Sequence, residues 1–330
     1  VNSAAVQLRA IVADRDEGFD AMDTTTKGIG REHWTKVKDQ QLFLWEKRRT
    51  AEPGQGTILF VHGSSMASTP GFDLQAPGVD YTSAMDWFAA KGFDCWCCDH
   101  RGYGRSYKGT EVLATIADGA DDLEAASDYI MARNKTGPLY VYGISSGALR
   151  AALFAERHPE RVKRLALDAH VWTGKGSPTL AERAKKLPQW RASPRRPINR
   201  EFLHSIHTRD KVYTANPALS EPFNTAVLAL DDSVPNGTYI DMCANLPVND
   251  PTKITVPTII MRGQYDGIAS LDDLIEFFKL LPNADKEFAV MPDIAHGSFT
   301  QMNYMRAYHI LWSFFTRPEP VHREKGSASH

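Results

Sequence analysis

Three residues in one chain order carry the chemistry this sequence can do. They are Ser145 in Gly143-Ile144-Ser145-Ser146-Gly147, Asp266 in Gly263-Gln264-Tyr265-Asp266-Gly267, and His296 after Pro292-Asp293-Ile294-Ala295. A serine hydroxyl is a weak nucleophile until a base takes its proton, and an imidazole base needs a carboxylate to fix its tautomer and orientation. The set reads as nucleophile, orienting acid and base for acyl transfer. Asp168 is the alternative acid, since it also falls at the end of an expected strand. Acyl transfer further needs N–H donors aimed at the oxyanion of its tetrahedral intermediate. Ser146, just after the nucleophile, is expected to give one. The stretch His62-Gly63-Ser64-Ser65-Met66 is expected to give the other, at Ser64, with His62 bracing the loop.

The elements that must hold these residues follow from local pattern. The run 139–144 is rich in β-formers, and an Ala/Leu/Arg-rich helical pattern starts at once, over 146–157. Serine at so sharp a turn needs neighbours without Cβ, which Gly143 and Gly147 supply. Upstream, 33–38 and 41–45 read as a hairpin joined by Asp39-Gln40, and 57–61 is a continuous apolar run of the kind a parallel sheet buries on both faces. A Gly/Pro-rich loop to Tyr81, a helix over 83–91, a strand over 93–98, a helix over 118–134 and a strand over 162–167 follow. The alternation resumes with a strand at 258–262, a helix at 272–281, a strand at 287–291 and a helix at 298–315. Strands alternating with helices imply an α/β fold with a mostly parallel sheet flanked by helices, and its ligand beyond the carboxyl ends of the strands.

The alternation breaks between Val171 and Lys253, where helical pieces punctuated by proline occur and no strand is expected. Pro217 after Asn216 reads as a first helical position behind its N-cap. The expected organisation is an extension (1–30), a core (31–170 and 254–318), a helical insertion (171–253) and a loose tail (319–330).

Composition limits the partners. The chain of 330 residues has a net charge of −2, which gives no overall case for nucleic acid, and no apolar run long enough to span a membrane. Cys95, Cys97 and Cys98 crowd one strand. Alternation puts the first two on one face and the third on the other, so they read as buried free thiols of a reducing, cytoplasmic compartment, although a chain starting without Met leaves room for a removed leader. No metal or organic cofactor is implied, and oligomeric state is not legible. Residues 171–211 hold ten Lys/Arg against three acids. Most such charge is a solvated helix face. The alternative is steering of an anionic substrate, with Arg191, Arg195, Arg196 and Arg200 held in an array by Pro194 and Pro197.

Taken together, His62-Gly63 after a strand, Asp99-His100-Arg101-Gly102-Tyr103-Gly104-Arg105-Ser106, Gly143-Ile144-Ser145-Ser146-Gly147, Asp266 and His296 resemble the α/β-hydrolase superfamily over about residues 35–316. The resemblance is to its capped group of esterases, lactonases and carbon–carbon bond hydrolases. It implies that 171–253 is a cap, that Asp99 and Arg101 tie a loop beside the nucleophile, and that serine rather than aspartate attacks. Met66, His170 and Trp172 are expected to line a small-molecule pocket. The expected activity is hydrolysis of a carboxylic ester through an acyl-enzyme. A lactone, amide or carbon–carbon bond cleaved by the same residues stays open, as does a non-catalytic binder on this fold.

Overall fold

The computed structural model describes residues 28–49 and 54–320. Residues 1–27 of the expected extension and 321–330 of the expected tail lie outside the described residues. Among the described residues one eight-stranded sheet runs in the order β1-β2-β4-β3-β5-β6-β9-β10. Its strands are β1 (Ile29–Val37), β2 (Gln40–Arg48), β3 (Thr57–Val61), β4 (Asp94–Asp99), β5 (Leu139–Ile144), β6 (Val162–Asp168), β9 (Thr258–Gly263) and β10 (Lys286–Met291). β1 pairs antiparallel with β2, and β2 antiparallel with β4; all pairings from β4 to β10 are parallel. The expected hairpin is longer at both ends, and its turn is Lys38-Asp39, with Lys38 left-handed at φ 55°.

Helices α1 (Ser68–Phe72), α2 (Ala84–Ala90), α3 (Ile116–Asn134), α4 (Ser146–Arg157), α10 (Leu271–Leu280) and α11 (Tyr304–Thr316) belong to the same alternating unit. The insertion carries α5 (Pro178–Ala184), α6 (Leu187–Ala192), α7 (Arg200–Thr208), α8 (Pro217–Leu228) and α9 (Gly237–Ile240). None of the described helices is long and apolar enough to cross a membrane.

β3 shows why the centre of the sheet is a continuous apolar run. All five of its residues are buried. Ile58 and Phe60 join one core cluster, with Phe88 and Tyr308; Leu59 and Val61 join a second, with Leu123 and Phe154. The period of two therefore feeds both faces at once. The cysteines follow the same rule: Cys95 and Cys97 lie in the first cluster and Cys98 in the second, all free and buried.

The structure differs from expectation at further places. The loop before Tyr81 contains α1, whose Ser-Thr-Pro-Gly-Phe sequence has no helical signature. The insertion holds a small antiparallel sheet, β7 (Arg195–Pro197) with β8 (Ser233–Pro235). Three-residue strands containing proline leave no alternation to read, and the pair is held partly by Arg195 donating to the Ser233 carbonyl and hydroxyl. The last expected helix is two pieces, Ser298–Thr300 and α11, because Gln301 is extended and bridged to Ala215. His170, Trp172 and the arginines of 191–200 also differ and are placed below.

Candidate active site

β5 delivers Ser145 to the turn before α4 with φ 58°, a left-handed backbone on a residue with a side chain. Such strain persists only where the surroundings over-determine it. Here they do. A Cβ on Gly143 would stand 2.4 Å from the Gly147 carbonyl oxygen, and one on Gly147 would stand 2.3 Å from that of Val61. Only glycine at both positions lets strand, turn and helix come this close. The Ser145 N–H is anchored on the Asp168 carbonyl at 2.9 Å.

Loops after neighbouring parallel strands bring the partners in. His296, after β10, has Nε2 2.9 Å from Ser145 Oγ and Nδ1 3.0 Å from both carboxylate oxygens of Asp266. Asp266, after β9, is fixed by the N–H groups of Ile268 (2.8 Å) and Ala269 (3.0 Å). Burial alone would push this carboxyl up. The imidazole beside it and the two N–H donors outweigh burial and hold it below the usual carboxylate range. An ionised Asp266 accepts Nδ1–H of His296 and leaves Nε2 free to accept from the serine hydroxyl.

The competing acid is elsewhere. Asp168 is wholly buried and accepts from the Tyr142 hydroxyl at 2.7 Å. Burial pushes it up to about 7, with Asp266 adding to the rise. The two aspartates are thus in opposite environments, and Asp266 is the one on the imidazole.

Ser146 opens α4, so its N–H is among those without an intrahelical acceptor. Ser64 lies in the turn after β3, and its hydroxyl donates to Ser146 Oγ at 2.6 Å. The two expected donor residues are therefore tied to each other. His62 braces this loop as expected: Nδ1 donates to the Gly63 carbonyl at 2.8 Å and Nε2 accepts the His100 N–H at 3.0 Å. Burial holds its pKa well below the ordinary histidine value, so it is neutral. Asp99 accepts from the Ser68 and Arg105 N–H groups, and Arg101 pairs with Asp122 of α3, which are structural ties.

Met66 lines an apolar chamber that also touches Gly63, Ile144 and Gly297. A Cβ on Gly63 would be 3.4 Å from Ser145 Cβ, so this wall stands against the serine. Phe72 and Phe299 come from the α/β unit, and Ile206, His207 and Phe223 from the insertion. His170 and Trp172 are not among the lining residues. Ala169 is left-handed (φ 50°) and turns the chain away, and Asp273 then accepts from the N–H groups of Trp172, Thr173 and Gly174. Both rings end against Phe277 of α10, with centroids 4.7 Å and 6.1 Å from it. Burial pushes His170 down to about 3. The chamber phenylalanines Phe72, Phe223 and Phe299 come from three separate elements, so no local pattern in the sequence marks them.

The expected arginine array also resolves differently. Arg195 donates to the Gly102 carbonyl as well as to Ser233, and Arg200 pairs with Glu221 of α8. Of the four, Arg196 alone is buried. Its Nη2 donates to the Ser64 carbonyl (2.8 Å) and to Ser65 Oγ (3.2 Å), beside the loop expected to hold the oxyanion.

The sequence profile of the family described as serine aminopeptidase, S33, matches residues 54–302. The monoglyceride lipase of Saccharomyces cerevisiae is 23% identical over 295 residues, spanning 84% of this chain and 89% of that protein. Among solved structures, a thermophilic esterase from Thermogutta terrifontis superposes with a TM-score of 0.61 at 18% identity, covering 86% of this chain and 97% of that one. A monoacylglycerol lipase from Paleococcus ferrophilus does so with 0.60 at 15%, covering 83% and 98%. With the profile matched over most of its length, on a sheet whose strand ends gather serine, histidine and aspartate, this chain belongs to the serine aminopeptidase S33 family of α/β-hydrolases.

Proposed function

We propose that the protein is a carboxylic ester hydrolase working through an acyl-enzyme, with Ser145 as nucleophile, His296 as general base and acid, and Asp266 as the residue that orients it. The observation that carries this reading is the unbroken hydrogen-bonded line Ser145–His296–Asp266 at the strained start of α4. In the reaction His296 takes the serine proton as Oγ attacks the ester carbonyl carbon. The N–H groups of Ser64 and Ser146 receive the oxyanion. His296 then gives its proton to the leaving alkoxide, and water, deprotonated by the same imidazole, releases the acid and regenerates the serine.

The names of the relatives support an ester as the bond, and the apolar chamber supports an alkyl or aryl group on the substrate. Residues 171–253 act as a cap in this reading, since Ile206, His207 and Phe223 close the chamber from the insertion. A series of p-nitrophenyl esters from acetate to decanoate, set against the matching anilides, tests the proposal. Ester turnover with a chain-length optimum, and anilides slower by orders of magnitude, is the expected outcome. Anilides cleaved as fast as esters, or no ester cleaved, would contradict it.

A further inference from the structure

The insertion packs two arginines around one phenol next to the Ser64–Ser65 loop. The Arg196 guanidinium carbon lies 3.6 Å from the Tyr239 ring centroid, and that of Arg183, from α5, lies 4.4 Å from it. Arg196 and Tyr239 are buried at 8% and 4% exposure. Arg196 spends its Nη groups on the carbonyls of Ser64 and Pro235, on Ser65 Oγ and on Asn236 Oδ1, all uncharged. Its Nε–H is buried without a partner. Neither Arg183 nor Arg196 forms an ion pair with a carboxylate among the described residues. The contrast is Arg209 nearby, which is neutralised by Asp210 through two hydrogen bonds of 2.7 and 3.1 Å. Asp210 in turn abuts Gly267, beside the acid Asp266.

Holding the buried Arg196 guanidinium, with the half-buried Arg183 beside it, without a carboxylate counter-charge is costly. The surroundings register it: burial, together with the neighbouring Arg209 and Arg196, holds the Arg183 pKa below the ordinary arginine value. Burial alone would push the Tyr239 phenol up, yet Arg183 and Arg196 pull it down to about 8. A bound anion would relieve this arrangement. A guanidinium edge with a free N–H suits the two oxygens of a carboxylate.

We propose that Arg183 and Arg196, with Ser65 and Tyr239, form an anion subsite that holds a carboxylate carried by the substrate, so that the preferred ester is an acidic one with an apolar portion in the chamber. This rests on the ester-hydrolase reading for its chemistry but not for its binding.

Two matched pairs test it. Mono-4-nitrophenyl glutarate against 4-nitrophenyl valerate puts the charge on the acyl side, and 4-carboxyphenyl valerate against phenyl valerate puts it on the leaving group. The anionic member of at least one pair should have the higher kcat/KM, by about 10- to 100-fold, the scale of a charge-assisted hydrogen bond. Arg183→Gln should collapse that ratio towards one, and Arg183→Lys should restore part of it. Arg191→Gln, an exposed arginine of α6, should leave it unchanged. The preference should survive about 0.5 M salt, which would abolish long-range steering. Ratios near or below one in both pairs, or a ratio indifferent to Arg183→Gln, would overturn the subsite. Equilibrium binding of the same compounds to Ser145→Ala separates the two readings. Tighter binding of an anionic member without turnover in the parent protein keeps the subsite and removes the hydrolase. Turnover with equal binding of charged and neutral members does the reverse.

Discussion

The chamber that reaches Gly63 and Gly297 is walled by Met66, Phe72, Ile206, Phe223 and Phe299, whereas the cluster that reaches Ser64 and Ser65 is made of Arg183, Arg196 and Tyr239. Both draw side chains from the insertion onto the same loop. The chamber is stabilised by its own burial, since apolar walls contribute whether or not a ligand is present. The cluster is the reverse: its guanidinium groups face phenol and carbonyls, and a ligand would complete it. An apolar wall discriminates weakly, by about 1–3 kcal/mol per methylene. Unpaired charge discriminates more sharply, because the wrong ligand leaves it unpaired. Chain length should therefore be loosely selected and charge more strictly.

Chamber and cluster act together only if both serve one reacting centre, and the largest effect tests that. Asp266→Asn should lower kcat by about 10⁴-fold through the wrong imidazole tautomer, while Asp168→Asn costs a few-fold at most. Steady-state kinetics on one activated ester decides, and the opposite ranking would move the acid to the end of β6. Next in size is the chamber. Ile206→Ala removes a wall that is only partly buried, so kcat/KM for a long neutral ester should fall by about 10-fold with acetate turnover less affected. Equal losses for both would remove Ile206 from the chamber's function.

A smaller effect sharpens the charged side. Once pH passes about 8, Tyr239 becomes a phenolate and competes as the counter-charge of the arginines. The anionic-to-neutral preference should then decline several-fold on the alkaline side, and Tyr239→Phe should remove the decline. A pH-independent ratio in the parent protein would detach Tyr239 from the subsite.

The smallest effect is on stability. Folding raises Asp168 to about 7, so the native state holds a proton that the unfolded chain releases. The resulting stabilisation is complete below about pH 4 and is lost as pH rises through about 7. Asp168→Asn should flatten the fall in Tm between about pH 5 and about pH 8. An unchanged slope would mean that Asp168 stays ionised.

Much of this was legible in the sequence because it is local or ordered along the chain. Gly143-Ile144-Ser145-Ser146-Gly147 encodes strand, turn and helix in one stretch, and Asp266 and His296 each follow a strand directly. What was not legible depends on residues meeting from afar. Ala169 leaves β6 left-handed, a conformation with no signal in an alanine, and His170 and Trp172 follow it into the core. The basic character of 171–211 was plain, but not which arginines are spent on structural ties. Arg195 and Arg200 find Ser233 and Glu221, while Arg183 and Arg196 are left facing Tyr239. The chamber is assembled from the loop after β3, the end of β5, α1, α7, α8 and the turn before α11, so its aromatics look like ordinary core residues one element at a time.

Covalent labelling of the nucleophile is the most direct measurement. A fluorophosphonate added to the intact protein, followed by peptide mass spectrometry, should give a single adduct on Ser145. Labelling should be lost in Ser145→Ala and be strongly slowed in His296→Ala. An adduct on Ser146 or Ser64, or undiminished labelling of Ser145→Ala, would contradict the account at its centre.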